Sequence, residues 1–116
     1  MNDLQFVEKI KCLCTGAKMP DSALISAGKF PEGWVRNYLK LLLDNRIYWQ
    51  NLDKWPRELS YCFYRVGFHI GYSYSEWLRS SKETNTDTER DLAKIRMFTD
   101  AFIAGDPSQK WVIDDE

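Results

Sequence analysis

The chain has one histidine, His69, in 116 residues, and that scarcity removes every metal site needing two imidazoles. Cysteine is sparse and odd in number: Cys12, Cys14 and Cys62. Residues two apart on a helix point to different sides, so Cys12 and Cys14 cannot form an unstrained bridge. Free thiols imply a reducing, cytoplasmic setting. Cys12-x-Cys14 also departs from the two-to-four-residue spacing of zinc ligands, so neither a metal nor a cofactor is expected. Net charge is −1, which excludes bulk polyelectrolyte attraction as the main route to nucleic acid. Apolar runs are as short as Leu41–Leu43, so no membrane span is expected. The acidic start Met1-Asn2-Asp3 lacks the apolar run of a signal peptide.

Catalytic signatures are equally scarce. No serine stands in a Gly-x-Ser-x-Gly elbow, and neither the Gly28/Gly33 nor the Gly67/Gly71 spacing continues into the Lys-Ser/Thr of a phosphate loop. Cys62 and His69 are seven residues apart, about 10 Å along one helix face, beyond hydrogen-bond reach. The chain therefore reads as a non-enzyme with no small-molecule substrate.

Aromatic residues, in contrast, are crowded. Of seventeen, twelve fall between Trp34 and Trp77. A chain this long buries roughly two-thirds of its unfolded surface, which supports one domain over residues 1–116 but not the burial of every ring. Trp34, Phe63, Trp77 and Phe98 suit the core. Tyr48, Trp49, Trp55, Tyr61, Tyr64, Phe68, Tyr72 and Tyr74 make a candidate protein interface, since large rings near a surface are what such interfaces use.

Hydrophobic spacing of three and four predicts helices over most of the chain. Asp3–Cys14 carries Leu4, Phe6, Val7, Ile10 and Leu13 on one stripe behind an Asn2 or Asp3 cap. Asp21–Ala27 is a short second helix closed by Gly28. The third has Pro31 in its first turn, runs through Trp34, Val35, Tyr38, Leu39, Leu42 and Leu43, and ends at Asp44-Asn45. Arg46–Leu52 has strand preference in Ile47-Tyr48-Trp49 but length enough for two helical turns.

Residues 56–81 admit two readings. As a helix, Leu59, Cys62, Phe63, Val66, Ile70, Tyr74, Trp77 and Leu78 form one face, with Gly67, Gly71 and Ser75 a strip of small residues. As a strand, apolar and polar residues alternate from Cys62 to Tyr74. That strand would be far longer than usual and hold two glycines, so length favours the helix. A short strand over 61–66 leading into a helix is the intermediate form. A last helix starts at a capping threonine, Thr86 or Thr88, and runs to Ala104 with Leu92, Ile95, Phe98, Phe102 and Ile103 inward. Gly105 and Pro107 close it, and Trp111-Val112-Ile113 forms an apolar anchor before an acidic end. The fold class is thus all-α, four to five helices, with room for a small β-hairpin over 46–66.

Charge is uneven. Residues 29–57 hold six bases and three acids, and residues 84–116 eight acids and four bases. Residues 21–47 resemble the helix-turn-helix half of winged-helix proteins: a short helix, a turn at Gly28, a helix with Val35, Leu39 and Leu42, then Asn45-x-Ile47 where a wing strand would begin. The resemblance implies a core of Leu24, Val35, Leu39 and Leu42. It also implies DNA contacts from Lys29, Arg36, Asn37 and Lys40, with Arg46 and Lys54 on phosphates. The expected function is a non-enzymatic interaction module (a regulator, inhibitor or assembly factor) that binds another protein or itself through its aromatic surface. The alternative is a winged-helix DNA-binding regulator.

Overall fold

Asn2 opens helix α1 (Asp3–Cys14) with a reciprocal cap: its side chain accepts from the Gln5 N–H at 2.8 Å, and its own N–H donates to the Gln5 side chain at 3.1 Å. The computed structural model describes residues 2–105, so Pro107 and the Trp111–Ile113 segment lie outside the described residues. Phe6, Val7, Ile10, Leu13 and Cys14 turn inward, whereas Leu4 stays exposed, off the stripe it was expected to join.

Helix α2 (Asp21–Ala27) ends on Gly28, whose φ of 66° is left-handed. Helix α3 (Trp34–Gln50) begins later than expected: Gly33 takes φ 77° and places Pro31 in the turn before the helix. It also ends later. Asn45 does not break it, because its amide donates back to the Leu41 carbonyl at 2.8 Å. The β-preference of Ile47-Tyr48-Trp49 yields to packing: continuing the helix carries Trp49 into the core, 1% exposed, and leaves Ile47 and Tyr48 outside.

Helix α4 (Arg57–Tyr64), a π-helical turn (Arg65–His69) and helix α5 (Ile70–Ser81) form one uninterrupted rod, since backbone angles stay helical through both junctions. Helix α6 (Thr86–Ala104) follows. The result is five helical rods with no strand among the described residues, so the hairpin over 46–66 is replaced by the end of α3 and the whole of α4. Length prevailed over alternation there. The rod buries Leu59, Cys62, Phe63, Val66, Ile70 and Tyr74 along one side, which no strand pairing could match.

The cap of α6 is Asn85, which accepts from the Thr88 N–H at 3.2 Å. Thr88, one of the expected caps, is buried and donates its hydroxyl to the Gly28 carbonyl at 2.7 Å. Ile103 is 53% exposed and does not face inward. Among the described residues, α1 packs on α3 and α4, α2 on α5, α3 on α6, and the π-helical turn on α6. Leu24, Val35, Leu39 and Leu42 are buried as expected.

Seven of the twelve crowded rings are absorbed wholly or partly into this body: Trp34, Tyr38, Trp49, Trp55, Phe63, Tyr74 and Trp77. Indole nitrogens are satisfied at helix ends, Trp34 donating to the Leu13 carbonyl at 3.1 Å and Trp55 to that of Trp49 at 3.0 Å. Tyr38 is fully buried; burial raises its phenol well above the ordinary range, and it shares a 2.7 Å hydrogen bond with Thr99.

Candidate interaction surface

The five rings left outside are Tyr48, Tyr61, Tyr64, Phe68 and Tyr72. Four of them lie on the α4–π–α5 rod at positions i, i+3, i+7 and i+11. That spacing puts Tyr61, Tyr64, Phe68 and Tyr72 along one side of a helix, opposite the buried stripe. Their exposures are 53%, 54%, 62% and 59%. Tyr64 and Phe68 stack at 5.7 Å with ring planes 8° apart, and His69 meets both edge-on at 5.4 and 6.1 Å. The middle of the ridge is therefore a packed cluster of three rings.

The rod is fixed from beneath by Arg65, in the first turn of the π-helical segment. Its Nε donates to the Cys14 carbonyl at 2.8 Å, and Nη2 meets Asp21 at 2.7 Å. The Arg65 and Asp21 side chains are both largely covered, 13% and 20% exposed. One guanidinium thus ties the end of α1, the start of α2 and the rod together. Beside it Cys14 donates to Cys62, and that bond, followed by burial, raises the Cys14 thiol far above its ordinary range. Both thiols are buried core groups. Cys62 faces the interior, and His69 sits among the ridge rings, so no nucleophile pair forms. Among the described residues no group of three metal-ligating side chains converges.

Other expected interface residues divide. Tyr48 is 52% exposed on α3, where the Asp3 carboxylate accepts from its hydroxyl and raises its phenol above the ordinary value. Trp49 and Tyr74 are buried, 1% and 3% exposed, and leave the surface set. Trp49 packs on Phe6 at 5.0 Å. Tyr74 is held by its hydroxyl, which donates to Glu89 at 2.7 Å and accepts from the Asn85 N–H at 2.8 Å. Trp55 is half-buried, edge-on to Trp49 and 5.5 Å from Phe102. The sequence signal that sorts the rings of the rod is its helical phase: Tyr74 shares the phase of Ile70 on the Leu59–Trp77 face, while Tyr61, Tyr64, Phe68 and Tyr72 fall on the second side, as that phase leads one to expect.

The basic set is divided over the surface. In helix-turn-helix proteins the two helices pack on each other, yet α2 docks on α5 and α3 on α6. No wing strand follows α3 among the described residues. Asn37 and Lys40 line a cleft of about 410 Å³ with Lys9 and Lys18, and Lys40 reaches Asp44 at 3.9 Å. Lys29 borders a different cleft that also holds Glu32, Asp87 and Asp91, carboxylates that would repel phosphate. Arg36 and Lys54 are exposed, and Arg46 is half-buried. The small residues of the rod are also split. Gly67 is exposed with open space around it, whereas Gly71 is buried against the Arg96 guanidinium.

No described helix is long and apolar enough to cross a membrane. No family model, curated protein or solved structure matches the chain.

Proposed function

We propose that the chain is a non-enzymatic interaction module, a regulator, inhibitor or assembly factor, that binds protein through the ridge of Tyr61, Tyr64, Phe68 and Tyr72. The observation carrying this reading is that four rings along one side of one rod are each more than half exposed, while seven others nearby were taken inward. Isolated surface apolar residues need no explanation, but a continuous aromatic stripe does. Tyrosine and phenylalanine anchors at the centre of an interface are where binding energy concentrates. Three free cysteines, two of them buried, suit action in the reducing cytoplasm.

In a pull-down from the native host with the purified chain as bait, Phe68→Ala is expected to weaken capture by about 2 kcal/mol, roughly thirtyfold in affinity. Tyr64→Ala should act in the same direction, and neither variant should change the circular dichroism spectrum, because both side chains project into solvent. Capture indifferent to both substitutions defeats the reading.

A further inference from the structure

We infer that the occupant of the ridge is a second copy of the same chain, lying antiparallel across it about a two-fold axis near Gly67. This rests on the reading above and names its partner.

An isologous interface must complement itself, so residue i meets residue j while j meets i. The rod has that property. Reversing it about the point between Val66 and Gly67 exchanges Tyr61 with Tyr72, and brings Tyr64 to within one residue of Phe68. The same reversal exchanges Arg57 with Glu76, opposite charges at the two ends of the ridge. An antiparallel pair therefore places rings on rings through the middle and forms two symmetry-related Arg57–Glu76 ion pairs at the rims. A parallel pair would set Arg57 against Arg57 and Glu76 against Glu76.

The midpoint is also open to close approach. Gly67 is exposed, and a Cβ built there meets nothing within 4 Å, so bare backbone lies where two rods would cross. Helices pack at about 8–10 Å, the shorter distances requiring small residues at the crossing. From Arg57 to Glu76 the rod spans about 28 Å at 1.5 Å per residue.

Area points the same way. Aromatic residues carry about 200 Å² each, so four that are slightly more than half exposed offer roughly 450 Å² per copy. A standard stable interface takes about 800 Å² per partner, and Arg57, Ser60, Ser75 and Arg79 flank the rings to make up the remainder. Rings at the centre with charges at the rim match the anatomy of such interfaces.

Sedimentation equilibrium of the purified full chain at micromolar concentration, with charge reversals at the two rims, tests this. Wild type is expected to sediment at twice the chain mass. Arg57→Glu and Glu76→Arg should each weaken self-association by about tenfold or more, by setting like charges together. The double variant, Arg57→Glu with Glu76→Arg, should return close to wild type. Arg57 is exposed, whereas Glu76 is 29% exposed and lies 3.2 Å from Arg79 of its own chain, so circular dichroism of each variant is used to check that the helices are retained.

A dimer that the double variant fails to rescue overturns the antiparallel arrangement. A monomeric wild type that captures a host protein, and loses it on Phe68→Ala, overturns the second copy as occupant and leaves the broader reading standing. A monomer whose capture ignores Phe68→Ala overturns both.

Discussion

Arg65→Met is expected to lower the unfolding free energy by about 3 kcal/mol, and the melting temperature by about 10–15 °C. The guanidinium serves two oxygen acceptors that its removal would strand, the Asp21 carboxylate and the Cys14 carbonyl. Asp21 Oδ2 meets it at 2.7 Å, while the other oxygen of that carboxylate, Oδ1, is buried with no hydrogen-bond partner. Removing the cation leaves Asp21 as a covered, uncompensated charge, the situation in which breaking an ion pair costs most. The second loss is the 2.8 Å bond to the Cys14 carbonyl, one of the acceptors that the C-terminal turn of α1 cannot satisfy internally. Methionine retains the apolar stem, so the deficit reports the charge and its bonds rather than a cavity. Arg90→Met is the control. Its pair with Asp87 at 3.4 Å is exposed on both sides, 69% and 81%, and its loss should stay within about 0.5 kcal/mol. Adding Asp21→Asn to Arg65→Met should recover part of the loss, because the stranded charge is then gone. Urea unfolding of the four proteins measures all three quantities. Equal effects of Arg65→Met and Arg90→Met would refute this account of the rod's attachment.

The helices that were legible in the sequence are those whose local chemistry agrees with their packing. Asn2 with Gln5, the stripe of Phe6, Ile10 and Leu13, and Gly28 as a terminator each specify the same answer at close range. The misreadings fall where a distant contact overruled a local preference. Ile47-Tyr48-Trp49 favours a strand until Trp49 finds Phe6 on α1. Thr88 looks like a cap until Gly28, sixty residues earlier, supplies a carbonyl for its hydroxyl. The π-helical turn had no signal at all, since its five residues differ from ordinary helix only in hydrogen-bond register.

The candidate surface was legible in composition and, for Tyr61, Tyr64, Phe68 and Tyr72, in helical phase, but not for Trp49, Trp55 and Tyr74. An excess of rings follows from the surface available to so short a chain, and five do remain outside. Which five depends on helical phase within the rod and on where Arg65 pins it. The same logic divides the basic set: Lys29 is close in sequence to Asn37 and Lys40, which share one cleft, but helix packing sets it at the border of another.

Gly28→Ala is expected to cost about 2–5 kcal/mol, from two separable causes. The first is backbone strain: φ is 66°, where an L side chain costs about 1–2 kcal/mol. The second is overlap. A Cβ at this position would fall inside the van der Waals envelope of Cδ2, Cε2 and Cε3 of the Trp77 indole. That ring cannot simply swing aside, since it stacks on Tyr74 at 5.6 Å, and Tyr74 is tethered to Glu89 and Asn85. Overpacking of this kind adds about 1–3 kcal/mol. The Gly28 carbonyl is also the acceptor for Thr88, so any retreat of the loop lengthens a buried bond between the α2 terminus and α6. Gly33→Ala separates the causes. Gly33 has φ 77°, and a Cβ there approaches only the Asn37 amide, at 3.9 Å, so it carries the strain without the overlap. It should cost about 1 kcal/mol. The excess of Gly28→Ala over Gly33→Ala then measures the contact with Trp77, and it should shrink when both proteins also carry Trp77→Ala. If the two glycine variants unfold at the same denaturant concentration, the indole is not seated against Gly28, and the docking of α2 on α5 is held by something else.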